Sequence, residues 1–165
     1  MPQLVRGGKY VFAWSIVGRD GRIRIPDEAV TEYHFSPGTV FILPGSRRSG
    51  GFALSTSKLL EKSPLATLLH SHAELAHHSS GEGELVYDRG KPYCWVKLHD
   101  RKIKIPLPTL KAYGVEAGDR LLVIRGSGLA LGFAVKGPIV EEAQAHPEIA
   151  AVTCDEISEA NLSSP

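Results

Sequence analysis

The chain has 165 residues, 42% apolar and 22% charged, enough to bury a core without disulfide or metal staples and unlike disordered, collagen-like or coiled-coil sequences. A net charge of +1 conceals a split: all 19 Lys and Arg precede residue 137, whereas six of the 18 acids, Glu141, Glu142, Glu148, Asp155, Glu156 and Glu159, follow it. The body, at +7, attracts phosphate; the acidic end, at −6, can mimic phosphate, bind a basic partner or be a solvated terminus.

With 17 Gly and 11 Pro, many turns and short elements are expected, leaning toward β structure. No long uncharged apolar run occurs, and MPQLVRGGKY has no apolar core of a signal peptide, so a cytoplasmic protein without membrane contact is expected. Cys94 and Cys154 do not form a CxxC pair, which predicts reduced thiols rather than a disulfide framework or cysteine zinc site.

In chain order, Tyr10, Phe12, Trp14 and Ile16 alternate with smaller or polar neighbours as in a half-buried strand. Asp20-Gly21 makes a hairpin turn, and Arg22-Ile23-Arg24-Ile25 is a strand with its isoleucines on one face and arginines on the other. Pro26 stops that strand and opens a helix over 27 to 33, with His34 at a left-handed exit. The apolar run 40 to 43 predicts a strand buried on both faces, and the turn 44 to 51 returns the chain into a fourth strand. In the stretch 56 to 89, Ser63-Pro64 predicts a helix start running to about His78, with Leu65, Leu68, Leu69 and Ala76 on one stripe; SSGEGE is then a flexible break.

From Trp95 the first unit returns. Ile23, Ile25, Pro26, Tyr33 and Gly38 match Ile103, Ile105, Pro106, Tyr113 and Gly118 at an offset of 80, and Arg22 and Arg24 are answered by Lys102 and Lys104. Trp14 matches Trp95 after a one-residue slip, GFAL at 51 to 54 recurs as GFAV at 132 to 135, and Gly8-Lys9 recurs as Gly90-Lys91. The organisation read from this is a first repeat over 8–55, a helical linker over 56–89, a second repeat over 90–136 and an acidic extension over 137–165, helical over 138 to 152. Four short strands and one helix enclose too little volume alone, so the two units are expected to complete one barrel.

GRIRIP at 21 to 26, RKIKIP at 101 to 106 and YGVEAGDRLLV at 113 to 123 resemble the AbrB/SpoVT/MazE family, and the likeness covers about 14 to 55 and 95 to 136. The resemblance implies a mainly β, swapped-hairpin barrel, ordinarily built from two identical chains and here an intrachain pseudo-dimer with short helices and helical extensions. It further implies a transcriptional regulator or antitoxin that binds double-stranded DNA. Val30, Thr31, Leu110 and Lys111 stand where members such as AbrB use helix arginines, and Asp27, Glu28 and Glu32 make the first helix acidic. Two diverged halves would also free the operator from being a palindrome.

The candidate DNA-binding group is Arg19, Arg22, Arg24, Arg101, Lys102 and Lys104, expected on one side of the barrel, with Arg47, Arg48 and Arg125 adding phosphate contacts from loops; a solvated basic face is the competing reading. His70, Glu74 and His77 or His78 would share a helix face at zinc- or nickel-compatible spacing, although a polar face has the same pattern and neither metal nor cofactor is expected. No nucleophile elbow, P-loop or GxGxxG occurs, and Gly45-Ser46 and Gly126-Ser127 read as ordinary turns, so catalysis is not expected. The alternative is a protein-interaction module or antitoxin-like partner. Its linker helix and acidic tail would grip a protein or a second copy, with Ile149, Ala150, Ala151 and Val152 to bury.

Overall fold

Side-chain alternation builds the layers. In β1 (Tyr10–Ile16) and β6 (Lys91–Leu98), Phe12, Cys94 and Val96 enter a central core, whereas Trp14 and Trp95 face outward beneath helices. The computed structural model describes residues 10 to 154, so Gly8, Lys9, Asp155, Glu156 and Glu159 lie outside the described residues. Pro26 ends β2 (Arg22–Arg24) and leads into α1 (Asp27–Tyr33), which leaves through His34 in the left-handed region at φ 55°. β3 (Gly38–Pro44) and β4 (Phe52–Ser55) complete the first unit.

The linker holds α2 (Ser57–Leu60), α3 (Ala66–Ser71), α4 (Ala73–Ala76) and the short strand β5 (Val86–Asp88). After β6 come β7 (Lys102–Lys104), α5 (Leu107–Ala112), β8 (Arg120–Arg125) and β9 (Leu131–Ala134), then α6 (Pro138–Gln144) and β10 (Ala151–Thr153).

The fold is mainly β. An eight-stranded mixed sheet runs in the order β10-β1-β8-β9-β4-β3-β6-β5, antiparallel except where β10 lies parallel to β1, and β2 pairs β7 in a separate two-stranded ribbon. Half of the strand pairings among the described residues join the two units: β1 with β8, β6 with β3, β4 with β9 and β2 with β7. Ile23 and Ile103 face each other in one core that also holds Ile25, Ile105, Phe52 and Phe133. Each of these buried isoleucines contributes about 1.5–3 kcal/mol. Phe52 stacks on Phe133 at 4.8 Å across the centre.

Pairing also refines the repeat. Trp14 lies opposite Leu122 and Trp95 opposite Phe41, so the offset rises from 80 at Gly38 and Gly118 to 81 in the following strands. The run 40 to 43 is buried on both faces as expected, and so is its counterpart 121 to 124 in the second unit. Outside them, Leu68 and Leu75 cover Phe41, Leu43 and Trp95, while Ile139, Val140 and Ala143 cover Trp14, Leu122 and Ile124.

Four expectations are corrected. The barrel does not close, because β10 and β5 take the outer edges of β1 and β6 and leave the sheet with two ends. The linker helix neither begins at Pro64 nor runs unbroken: α3 starts at Ala66, His72 leaves helical geometry at ψ 85°, and Leu75 rather than Ala76 is the fully buried residue. SSGEGE is tied down, since Gly83 N–H donates to the Trp95 carbonyl (2.8 Å), Trp95 Nε1 to the Ser80 carbonyl (3.0 Å) and Lys97 N–H to the Glu82 carboxylate (2.9 Å). The stretch 138 to 152 is helical only in its first half, because its last residues extend along β1.

Candidate nucleic-acid interface

Strand pairing places Arg22 opposite Lys104 and Arg24 opposite Lys102, flanking the buried pair Ile23 and Ile103. Since successive side chains alternate, the isoleucines that anchor the ribbon leave all four cations on its outer face. The turns that feed it lie at opposite ends, so Arg19 extends the basic strip at one end and Arg101 at the other. Arg22, Arg24, Lys102 and Lys104 of the hairpin group expected from sequence are therefore brought onto one side, with Arg19 and Arg101 in the turns at its two ends.

The backbone beneath is tightly held. Ile105 N–H donates to the Gly21 carbonyl (3.1 Å), Ile25 N–H donates to the Arg101 carbonyl (2.8 Å), and the buried Ser15 hydroxyl donates to the Arg24 carbonyl (2.7 Å). A Cβ at Gly21 would fall 2.0 Å from the Ile105 carbonyl oxygen, which explains why this left-handed position (φ 87°) is glycine.

Directly opposed like charges oppose pairing, and carboxylates moderate them. Asp20 accepts from Arg22 Nε (2.7 Å), Asp27 lies 3.7 Å from Arg24 and 3.3 Å from Arg101, and Asp100 lies 3.7 Å from Lys102. Burial pushes the Asp20 carboxyl up, but the Arg22 side chain and backbone N–H outweigh it and hold the group below its ordinary value. Arg22 and Arg101 make their pairs while about half exposed, where such a pair is weak and a phosphate oxygen can replace the carboxylate at small cost, whereas Arg24 and Lys102 are only 23% and 20% exposed.

The loop arginines do not join this face. Gly38 pairs Leu98 beside the second hairpin turn, so β3 carries its far end, and with it Arg47 and Arg48, away from the ribbon. There Arg48 lines a cleft of about 670 Å³ with Ser46, Ser127, Lys136 and Pro138. Arg125, expected in a loop, is instead the last residue of β8. Its Nε and Nη2 donate to the Glu32 carboxylate, the latter at 2.6 Å to Oε1, and its guanidinium lies 4.4 Å over the Tyr10 ring. That side chain ties β8 to α1, a role its spacing gave no hint of.

The candidate histidine face is broken up by the backbone geometry. The break at His72 removes the common face of His70, Glu74, His77 and His78, and among the described residues no group of three or more His, Cys, Asp or Glu side chains is placed to hold a metal ion. His72 itself bridges Glu74 (3.1 Å) and Asp88 (3.0 Å), and the His78 ring lies 5.3 Å from Trp95. The Ser46 and Ser127 hydroxyls accept turn hydrogen bonds from Ser49 N–H and Leu129 N–H.

Sequence reasoning also missed Cys154. It follows β10 beside the ribbon, where Lys102, Arg22 and Arg24 pull its thiol down; burial outweighs them and raises it to about 11. The strand that delivers it is three residues long and shows no usable alternation, so no local signal pointed to it. No protein-family model matches the sequence, and no curated protein matches it either. Among the described residues no helix is long and apolar enough to cross a membrane.

Proposed function

We propose that this chain is a DNA-binding transcriptional regulator of the AbrB/SpoVT type, a swapped-hairpin pseudo-dimer whose β2 and β7 ribbon meets the duplex. One observation carries the reading: Arg22, Arg24, Lys102 and Lys104 share the outer face of a ribbon anchored from below by Ile23 and Ile103. A four-cation face on a rigid support suits the phosphate backbone, and arginine can also read guanine edges in the major groove. The exchange of β1 and β6 between the units supports the swapped-hairpin description. Nothing in this reading requires catalysis or a cofactor.

The interaction-protein alternative draws less support. Leu68, Leu75, Ile139, Val140 and Ile149 pack against the chain's own strands, and although Ala150 and Ala151 stay exposed, 151 to 153 pair with β1, so the larger apolar residues offered to a partner are used internally.

The test is fluorescence anisotropy with double-stranded DNA across a salt series. The logarithm of affinity should fall linearly with the logarithm of salt by about 0.9 per neutralised phosphate, and Arg22→Ala with Lys102→Ala should lower the slope by about 2. An unchanged slope in a folded double variant would remove the ribbon from the interface, and no binding by the parent protein would end the reading.

A further inference from the structure

We propose that the cleft between the β3–β4 and β8–β9 turns, lined by Ser46, Arg48, Ser127 and Lys136, binds a small organic anion, a carboxylate or phosphate head on an apolar body. It lies at the end of β3 away from the ribbon, so this site stands or falls independently of the DNA reading.

The cleft exists because the helical layers leave a gap over the middle of the sheet. α6 covers β1 and β8, and the linker helices cover β3 and β6. Over β4 and β9, where the two units join, Ala53 lies opposite Gly132 and a space of about 670 Å³ remains. That volume is usual for small-molecule sites, about 300–1,000 Å³.

Each turn that frames the cleft is tied down by the other unit. The Ser49 carbonyl accepts from Val135 N–H (2.9 Å) and Lys136 N–H (3.1 Å), and Gly137 passes so close that a Cβ there would fall 2.5 Å from the Arg48 carbonyl oxygen. In the second turn the Tyr33 hydroxyl donates to the Ser127 carbonyl (2.6 Å) and the Ser55 hydroxyl to the Leu129 carbonyl (2.7 Å). Arg48 and Lys136 are thereby carried to one cleft on a preformed backbone, which lowers the ordering cost of binding.

Charge and polarity name the ligand class. The lining among the described residues holds two cations, Arg48 and Lys136, and no carboxylate, a net of +2. Both are exposed, whereas Ile124, Phe133 and Ile139 are buried, so the cleft offers charge at its mouth and apolar surface deeper in. A guanidinium and an ammonium suit a carboxylate or phosphate, and the Ser46 and Ser127 hydroxyls add donors beside them.

The experiment titrates the full chain with naphthyl phosphate, naphthoate, neutral naphthol and inorganic phosphate, by calorimetry and by amide NMR shifts. At least one naphthyl anion should bind saturably, about tenfold or more tighter than naphthol or inorganic phosphate, and shift the amides of Ser127, Gly132 and Gly137. The preferred anion identifies the head group. Arg48→Gln with Lys136→Gln should weaken its binding by about tenfold or more, and Ala53→Leu should weaken it by filling the cleft. Arg47→Gln, adjacent in sequence but outside the lining, should leave affinity within about twofold. No saturable binding of either anion, naphthol binding as tightly as both, an equal loss in Arg47→Gln, or shifts confined to the ribbon would overturn the proposal.

Discussion

At the two hairpin turns the same backbone task is given to different residues. The first turn uses Gly21 at φ 87°, whereas the second places Asp100 and Arg101 at φ 52° and 59°, where a non-glycine residue carries a cost of about 1–2 kcal/mol. Replacing Arg101 by Gly relieves that cost at the expense of some unfolded-state entropy, for a net gain of about 0.5–1 kcal/mol. Gly21→Ala should do the reverse, because its Cβ would lie 2.0 Å from the Ile105 carbonyl oxygen; strain and clash together give a loss of about 2–5 kcal/mol. Urea denaturation of both variants checks the pair, and a destabilised Arg101→Gly would count against the strain argument. Asp20-Gly21 announces its turn in the sequence, but the second turn has no glycine and could be found only through the repeat.

Among the elements, the linker departs furthest from its pattern, and His72 is where it does so. Apolar spacing over 65 to 76 suggests one helix, yet His72 turns aside to bridge Asp88 of β5 and Glu74 of α4, while Leu75 rather than Ala76 reaches the core. A contact with a strand 16 residues onward is invisible to local periodicity, which is why β1, β2, α1, β3 and β8 were legible and the linker was not. The bridge has a pH signature. Hydrogen bonds to Asp88 and then Glu74 raise the His72 imidazole above its ordinary value, so its contribution is full below the unfolded value of about 6.5 and fades as pH rises through the folded one. Glu74, lowered by its own backbone hydrogen bond and by His72, returns its share only above the unfolded carboxylate range and loses it as pH falls through its depressed value. The melting-temperature difference between the parent and His72→Gln should therefore be largest at mildly acidic pH and shrink toward alkaline pH. A difference that grows with pH would show that the imidazole is not held as the cation.

At the scale of the whole molecule, strand exchange makes each unit an incomplete fold. The matched isoleucines and the repeat at 80 made a shared core legible, whereas β5 and β10 are three-residue strands with too little alternation to betray the edges they occupy. A fragment of residues 1 to 89 has β1 without β8, β3 without β6 and β2 without β7; a fragment of 90 to 165 has the converse gaps. Each would expose Ile23 or Ile103, with neighbours that contribute about 1.5–3 kcal/mol apiece when buried, and would leave strand edges unpaired. Separately expressed fragments should thus remain unfolded or associate with a second copy of themselves, because the repeat lets one unit imitate its missing partner. Mixing the two should restore a one-to-one complex with a cooperative melt, seen by sedimentation and circular dichroism. A cooperative melt from either fragment at monomeric mass would show that the units are independent, and the ribbon they build between them would lose its physical basis.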